Sequence, residues 1–272
     1  MKKITFGLRV LLLAVVLVSA NFTVYAKNAS YDGNLPEENG VYDVPGNPHL
    51  KLRVFVHKDR GVAKLGQPGP APVLSCAPSA TGDPDSTSTV PGAGWKLPSA
   101  WTYRLNTASV PASVGSANLP VIVSNGFSGW LGAIGNTVAV TRGADTRVSR
   151  ATFDGQNIVT WGRTSGSALA VTYIWYNQTT GVASEIDTIM NSKFTWSWSD
   201  PAAWPAGEIC AFGGVYDAQS ILTHELGHTM GLDDVYTAEF TNNTMYGYGY
   251  KAEAKKDTLT IGDVAGVSAI YP

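Results

Sequence analysis

Apolar and polar positions alternate from Leu50 to His57, with Leu50, Leu52, Val54 and Val56 on one side and Lys51, Arg53, Phe55 and His57 on the other. A period of two is that of a half-buried β-strand. Trp101–Leu105, Asn157–Trp161 and Ser184–Met190 read as further strands, and Leu169–Tyr176 is apolar enough to predict a central one. Leu119–Ile134 carries apolar residues near helical spacing instead. Ile221, Leu222 and Leu226 give part of a core-facing helical stripe, with Asp217 placed to cap its start and Gly231 placed to end it. A last helix is predicted from Thr260 to Tyr271, where Thr260 and Asp263 have the spacing of a capping box. A helix, several strands and then two C-terminal helices predict an α/β (α+β) fold over residues 94–272.

The segments before that unit are of another kind. Lys2, Lys3 and Arg9 precede the apolar run Val10–Ala20, and Val24-Tyr25-Ala26 supplies small residues for cleavage. Residues 1–26 thus predict a secretory signal peptide, too short in its apolar run for the ~20 residues that span a bilayer. A secreted protein, extracellular or periplasmic and without a membrane span after cleavage, is expected. Residues 27–48 are turn-rich and predict an irregular surface segment, and 66–94 are dense in Pro, Gly, Ser and Thr. Residues 27–93 therefore read as an N-terminal extension and linker, a candidate pro-segment.

Composition narrows this further. Hydrophobic content of 44% with 15% charged residues over 272 positions describes a packed globular chain. The formal net charge of −2 becomes more negative once the signal segment is removed, and no basic cluster suggests a nucleic-acid partner. The two cysteines, Cys76 and Cys210, predict one disulfide in an exported chain.

The chemistry concentrates between Asp217 and Asp234. His224 and His228, four apart on the predicted helix, bring both imidazoles to one face and form a bidentate nitrogen site for Zn2+. Gly231 lets the chain turn back, so Asp234 becomes the third ligand; no histidine follows His228, and His49 and His57 lie far upstream. Three protein ligands leave a position for water, whose pKa zinc brings towards ~7. Glu225, next to the first ligand, is the expected general base and later the donor to a leaving amine.

His224-Glu225-x-x-His228-x-x-Gly231-x-x-Asp234 resembles the extended zinc signature of the metzincin endopeptidases, with an aspartate in place of their commoner third histidine, as in snapalysins. Asn243-Thr-Met245-Tyr246 falls where that family has a methionine turn, and Asp263–Tyr271 and Glu185–Asn191 are similar to the closing helix and a strand of matrixins. Over Gly94–Pro272 the resemblance implies a twisted, mostly parallel sheet packed on long helices, including the zinc helix and a C-terminal helix. It also implies a protein or peptide substrate lying across the zinc, a monomer, and structural Ca2+ as a further cofactor. Met245 is then a packed base for the site. Tyr248 is a candidate oxyanion stabiliser, as a tyrosine near this turn is in astacins. The Tyr-Gly-Tyr-Gly-Tyr after Met245 departs from the proline usual in matrixins and leaves the wall of the specificity pocket open.

Two other readings compete. Cys76 could act as a zinc-blocking thiolate, but Leu74-Ser-Cys-Ala-Pro78 lacks the matrixin context and a Cys76–Cys210 bridge is preferred. Eight tryptophans and twelve tyrosines would suit a surface- or carbohydrate-binding protein with an inert zinc, although Trp101, Trp130, Trp161 and Trp175 read first as core.

Overall fold

The computed structural model describes residues 34–60, 71–164 and 166–272. The expected signal segment, 1–26, lies outside them. The first half of the chain gives strands Gly40–Asp43 (β1), Leu50–Asp59 (β2) and Leu74–Pro78 (β3), the short helix Ser79–Gly82 (α1), strand Ala100–Leu105 (β4) and helix Leu119–Ala133 (α2). Strands Ala139–Arg142 (β5), Ile158–Gly162 (β6), Ala168–Asn177 (β7) and Ala183–Asn191 (β8) follow. The C-terminal part holds the short pair Trp196–Ser197 (β9) and Tyr216–Asp217 (β11), strand Glu208–Phe212 (β10), helix Ala218–Thr229 (α3), strand Tyr248–Gly249 (β12) and helix Ile261–Ile270 (α4).

The main sheet has the order β1-β2-β7-β8-β6-β4-β5, with β12 added beside the end of β2. It is mixed. From β8 through β6 and β4 to β5 the neighbours are parallel, whereas β1–β2, β2–β7 and β7–β8 are antiparallel. The pairing of β12 with β2 is parallel too, so four of the seven pairings are parallel and the expected parallel character holds outside the β1-β2-β7-β8 part. The reason is in the connections: β4 and β5 are joined through helix α2, as parallel strands require, while β7–β8 and β1–β2 are short hairpins.

One face of the sheet, with Leu105, Val159, Ala170, Ile174 and Met190, packs on α2 and α3 through Leu119, Ile122, Phe127, Trp130, Ile221 and Leu226. The other face is a smaller cluster of Tyr42, Leu52, Val54, Val171, Tyr173 and Trp175. Trp101, Trp130, Trp161 and Trp175 are all buried. Their role is core packing.

The segment before residue 94 departs from the sequence reading. β1 lies inside the stretch expected to be irregular and β3 inside the expected linker. β2 is hydrogen-bonded along its length to β7, so the main sheet runs across the 93/94 boundary. A period of two announces a strand but not its partner, and β2 and β3 find theirs more than 100 residues away. β3 pairs with β10, and there Cys76 and Cys210 form the expected disulfide, which leaves no free thiol for a zinc-blocking role. The chain-entropy constraint from a sequence separation of 134 is at most about 5 kcal/mol. Among the described residues no helix is long and apolar enough to cross a membrane.

Candidate metal centre

Helix α3 carries the centre, and its ends explain its precision. The Asp217 carboxylate accepts from Ser220 N at 2.9 Å and Ser199 N at 3.0 Å, satisfying one open N–H of the helix and tethering the preceding loop. At the other end Gly231 takes φ +98°, and Gly231 N and Leu232 N donate back to His228 O and Gly227 O. That is a Schellman turn, which needs a residue free to adopt positive φ. A Cβ at Gly231 would also collide with Trp95 O. The turn returns the chain past the helix and delivers Asp234.

The sequence-predicted ligands converge. Asp234 Oδ1 lies 3.2 Å from His224 Nε2 and 3.4 Å from His228 Nε2. All three side chains are essentially shut off from solvent. His224 Nε2, His228 Nε2 and Asp234 Oδ1 have no hydrogen-bond partner, a costly state for buried polar atoms unless something else binds them. Ligand bonds of about 2.0–2.1 Å in a tetrahedral zinc site separate the ligand atoms by roughly 3.3–3.4 Å. The donor set therefore fits a divalent ion of that kind.

The other ring nitrogens fix the tautomers. His224 Nδ1 lies 2.8 Å from Thr244 O and His228 Nδ1 lies 3.0 Å from Leu232 O, so each Nδ1–H donates to a carbonyl and each Nε2 keeps its lone pair. Burial holds the His224 pKa down, to about 4, which favours the neutral form a ligand needs. Burial pulls His228 the same way, but Asp234, Glu225 and the Leu232 carbonyl together outweigh it and raise His228 overall. Burial would raise Asp234, yet His228 and His224 hold it well below the usual carboxylate range.

Glu225 is fully buried beside these ligands, and burial pushes its pKa up to about 7 against the opposing influence of His228 and Thr172. Its Oε2 accepts from Thr172 Oγ1 at 2.6 Å, and its Oε1 lies 3.2 Å from His57 Nδ1.

The predicted methionine turn underlies the ligands. Met245 is buried, and its side chain abuts Gly227 of α3. The Asp263 carboxylate closes the capping box of α4 and also accepts from Thr244 N at 2.8 Å and Met245 N at 3.4 Å, so the last helix anchors the turn. Lys256, fully buried, donates to Thr244 O at 3.2 Å and to Tyr246 O. Thr244 O thus receives both the Lys256 ammonium and the His224 imidazole.

Tyr248, the candidate oxyanion stabiliser, lies in a cluster of aromatic rings beside the centre. Its ring is held between Tyr236 and Tyr246 with the Arg60 guanidinium 4.8 Å away, and the tyrosine joined to the ligand set is Tyr236, whose hydroxyl donates to Asp234 Oδ2 at 2.9 Å. His57, far upstream in sequence, is fully buried in the centre, its ring centroid 3.9 Å from that of His224. His57, His224 and Glu225 form a second group able to bind a metal. The missed signal lies in β2 itself: its polar side begins Lys51, Arg53 but continues Phe55, His57, as a face that becomes buried would. As for calcium, no cluster of three carboxylates converges among the described residues. Glu185 and Asp187, both buried, accept main-chain N–H groups from Asp154, Gly155, Thr152 and Ile158.

No protein-family model and no curated protein matches this chain.

Proposed function

We propose that this chain is an exported zinc-dependent endopeptidase of metzincin type. The observation that carries the reading is the convergence of three unpartnered, buried ligand atoms, His224 Nε2, His228 Nε2 and Asp234 Oδ1, beside a buried carboxylate. His224, His228 and Asp234 hold the ion, and zinc when bound lowers the pKa of water and polarises a carbonyl. Glu225 takes the proton of the attacking water and returns it to the leaving nitrogen. Its burial beside the ligands raises its affinity for a proton, as a carboxylate that takes one from water requires. Thr172, holding Oε2, leaves Oε1 as the working oxygen. Met245 and Gly227 form the packed floor, and Asp263 fixes the turn that orients His224. The disulfide agrees with export, and the net charge with a protein or peptide substrate more than with nucleic acid.

A second reading is favoured by one observation. The ligands and Glu225 are fully enclosed, as in a metal site that serves structure, within a surface- or carbohydrate-binding protein. Elemental analysis of purified protein, with cleavage of casein, gelatin and a peptide library by wild type and Glu225→Ala, separates the two. Zinc with cleavage by wild type alone supports the endopeptidase. Zinc without cleavage by any form, including one freed of residues 1–60, supports the binding protein.

A further inference from the structure

The face of the main sheet turned away from the metal centre carries a cavity of about 750 Å³. Small-molecule sites are typically of this size, roughly 300–1,000 Å³. Its floor is the sheet itself. Tyr173 of β7 and Ile189 of β8 belong to the hydrophobic cluster of that face, whereas Thr172, the next residue, turns the other way to Glu225. Residues 149–153 form one side and 161–164, at the end of β6, another, with the segment around Leu35 completing the rim.

The first of these sides is held in place by the fold. Asp187 accepts from Thr152 N at 3.0 Å, and Glu185 accepts from Asp154 N at 2.9 Å and Gly155 N at 2.6 Å. Gly162 lets the loop lie close, because a Cβ there would meet Ser149 O at 2.6 Å. Both buried carboxylates are thus occupied by main-chain donors, and the two arginines that line the cavity, Arg150 and Arg163, are left without them. Among the described residues neither guanidinium has an ion-pair or hydrogen-bond partner. The carboxylate that shares the lining with them is Glu37. Trp161 Nε1 and Thr164 Oγ1, in the same wall, are buried with no hydrogen-bond partner among the described residues, so the fold leaves polar groups there unsatisfied. Phe153 adds an exposed ring, its centroid 5.6 Å from that of the buried Trp175.

We propose that this cavity binds an acidic saccharide, a sugar chain bearing carboxylates, at a site separate from the metal centre. The lining supplies what such a ligand needs. A guanidinium takes a carboxylate through two parallel N–H bonds, and Arg150 and Arg163 are both free to do so. Ser149 and Ser192 add hydroxyls, which donate and accept as sugar hydroxyls do. The exposed ring of Phe153 offers an apolar face to the C–H side of a pyranose. An extended peptide fits less well, because β7 and β8, which form the floor, are paired on both sides and present no main-chain edge. The formal net charge of −2 disfavours a polyanion as dense as nucleic acid, whereas uronates carry one charge per sugar. The proposal does not depend on whether the metal centre is catalytic.

The test is calorimetric titration of the full chain with trigalacturonate, a trisaccharide of uronic acids. Neutral maltotriose, triglutamate and inorganic sulfate serve as comparison ligands. Wild type is expected to bind trigalacturonate more tightly than each of these, with or without prior removal of metal by a chelator. The double variant Arg150→Ala with Arg163→Ala should weaken that binding at least about tenfold, since bidentate charge-assisted bonds are lost. Arg150→Lys with Arg163→Lys keeps the charges without the forked donors and should fall between. Phe153→Ala should cost about threefold. All these positions are exposed; if the double alanine variant fails to fold, the lysine pair and Phe153→Ala carry the test. No binding of trigalacturonate by wild type, or equal affinity in wild type and the arginine variants, overturns the site. Triglutamate or sulfate bound as tightly as trigalacturonate overturns the saccharide as its ligand. Binding that disappears with the metal would put the sugar at the metal centre and overturn the proposal as well.

Discussion

The Tyr236 hydroxyl donates to Asp234 Oδ2 at 2.9 Å, which leaves Oδ1 as the oxygen facing both imidazoles. A carboxylate with one oxygen tied down presents the other in a fixed direction, and such supporting bonds typically account for about tenfold or more in metal affinity. Tyr236→Phe is expected to weaken zinc binding by about that factor, measured by competition with a chromophoric chelator. Tyr248→Phe, which leaves Asp234 its partner, is the control and should bind zinc like wild type.

The carboxylate itself is tested by replacement. Asp234→Ala removes one of three ligands and the only negative charge among them, so zinc should be lost on dialysis. Asp234→His restores a nitrogen donor and is expected to keep the metal and much of the activity. Equal zinc content in Asp234→Ala and wild type, by elemental analysis, would sink the assignment.

What could be read from the sequence and what could not divide along contact range. Asp217, Gly231 and the Thr260–Asp263 capping box act within a few residues of themselves, and each takes the local role its spacing predicts. His224, His228 and Asp234 are likewise close in sequence and meet through a single turn. His57 and Thr172, 168 and 53 residues from Glu225, enter through the pairing of β2 with β7, which no local pattern specifies. Tyr236 and Tyr248 illustrate the same limit. Both lie near the centre in sequence, and only the fold decides which hydroxyl reaches Asp234.

Asp187 should make stability depend on pH. Its carboxylate accepts from Thr152 N at 3.0 Å and Ile158 N at 3.2 Å, yet burial outweighs those bonds and raises its pKa to about 8. The folded chain then holds a proton that the unfolded chain releases near pH ~4. This contribution is complete below that pH and is lost as pH rises through about 8. The melting temperature should fall from pH 6 to pH 9, and Asp187→Asn, isosteric with the protonated acid, should flatten the difference. A slope unchanged by Asp187→Asn would show that other groups set it.

Gly227 offers a test in which two effects of opposite sign compete. In an exposed helix Gly→Ala stabilises by about 1 kcal/mol, because alanine restricts the unfolded chain. At this position a Cβ would fall inside the radius of the Met245 sulfur and 2.8 Å from Trp130 Cζ2. Trp130 is also fixed, since its Nε1 donates to Thr223 O at 2.9 Å, so α2 cannot swing away cheaply. Overpacking of a dense core typically costs about 1–3 kcal/mol, which exceeds the helix gain. Gly227→Ala is therefore expected to destabilise the fold in chemical denaturation and to weaken zinc binding, because His224 and His228 flank the strained residue. The double variant Gly227→Ala with Met245→Ala removes the worst contact and should recover part of the loss. Because the two residues touch, the cycle should be non-additive by at least about 0.5 kcal/mol. Strict additivity would place the strain elsewhere, and a more stable Gly227→Ala would mean that Met245 is not held against the helix.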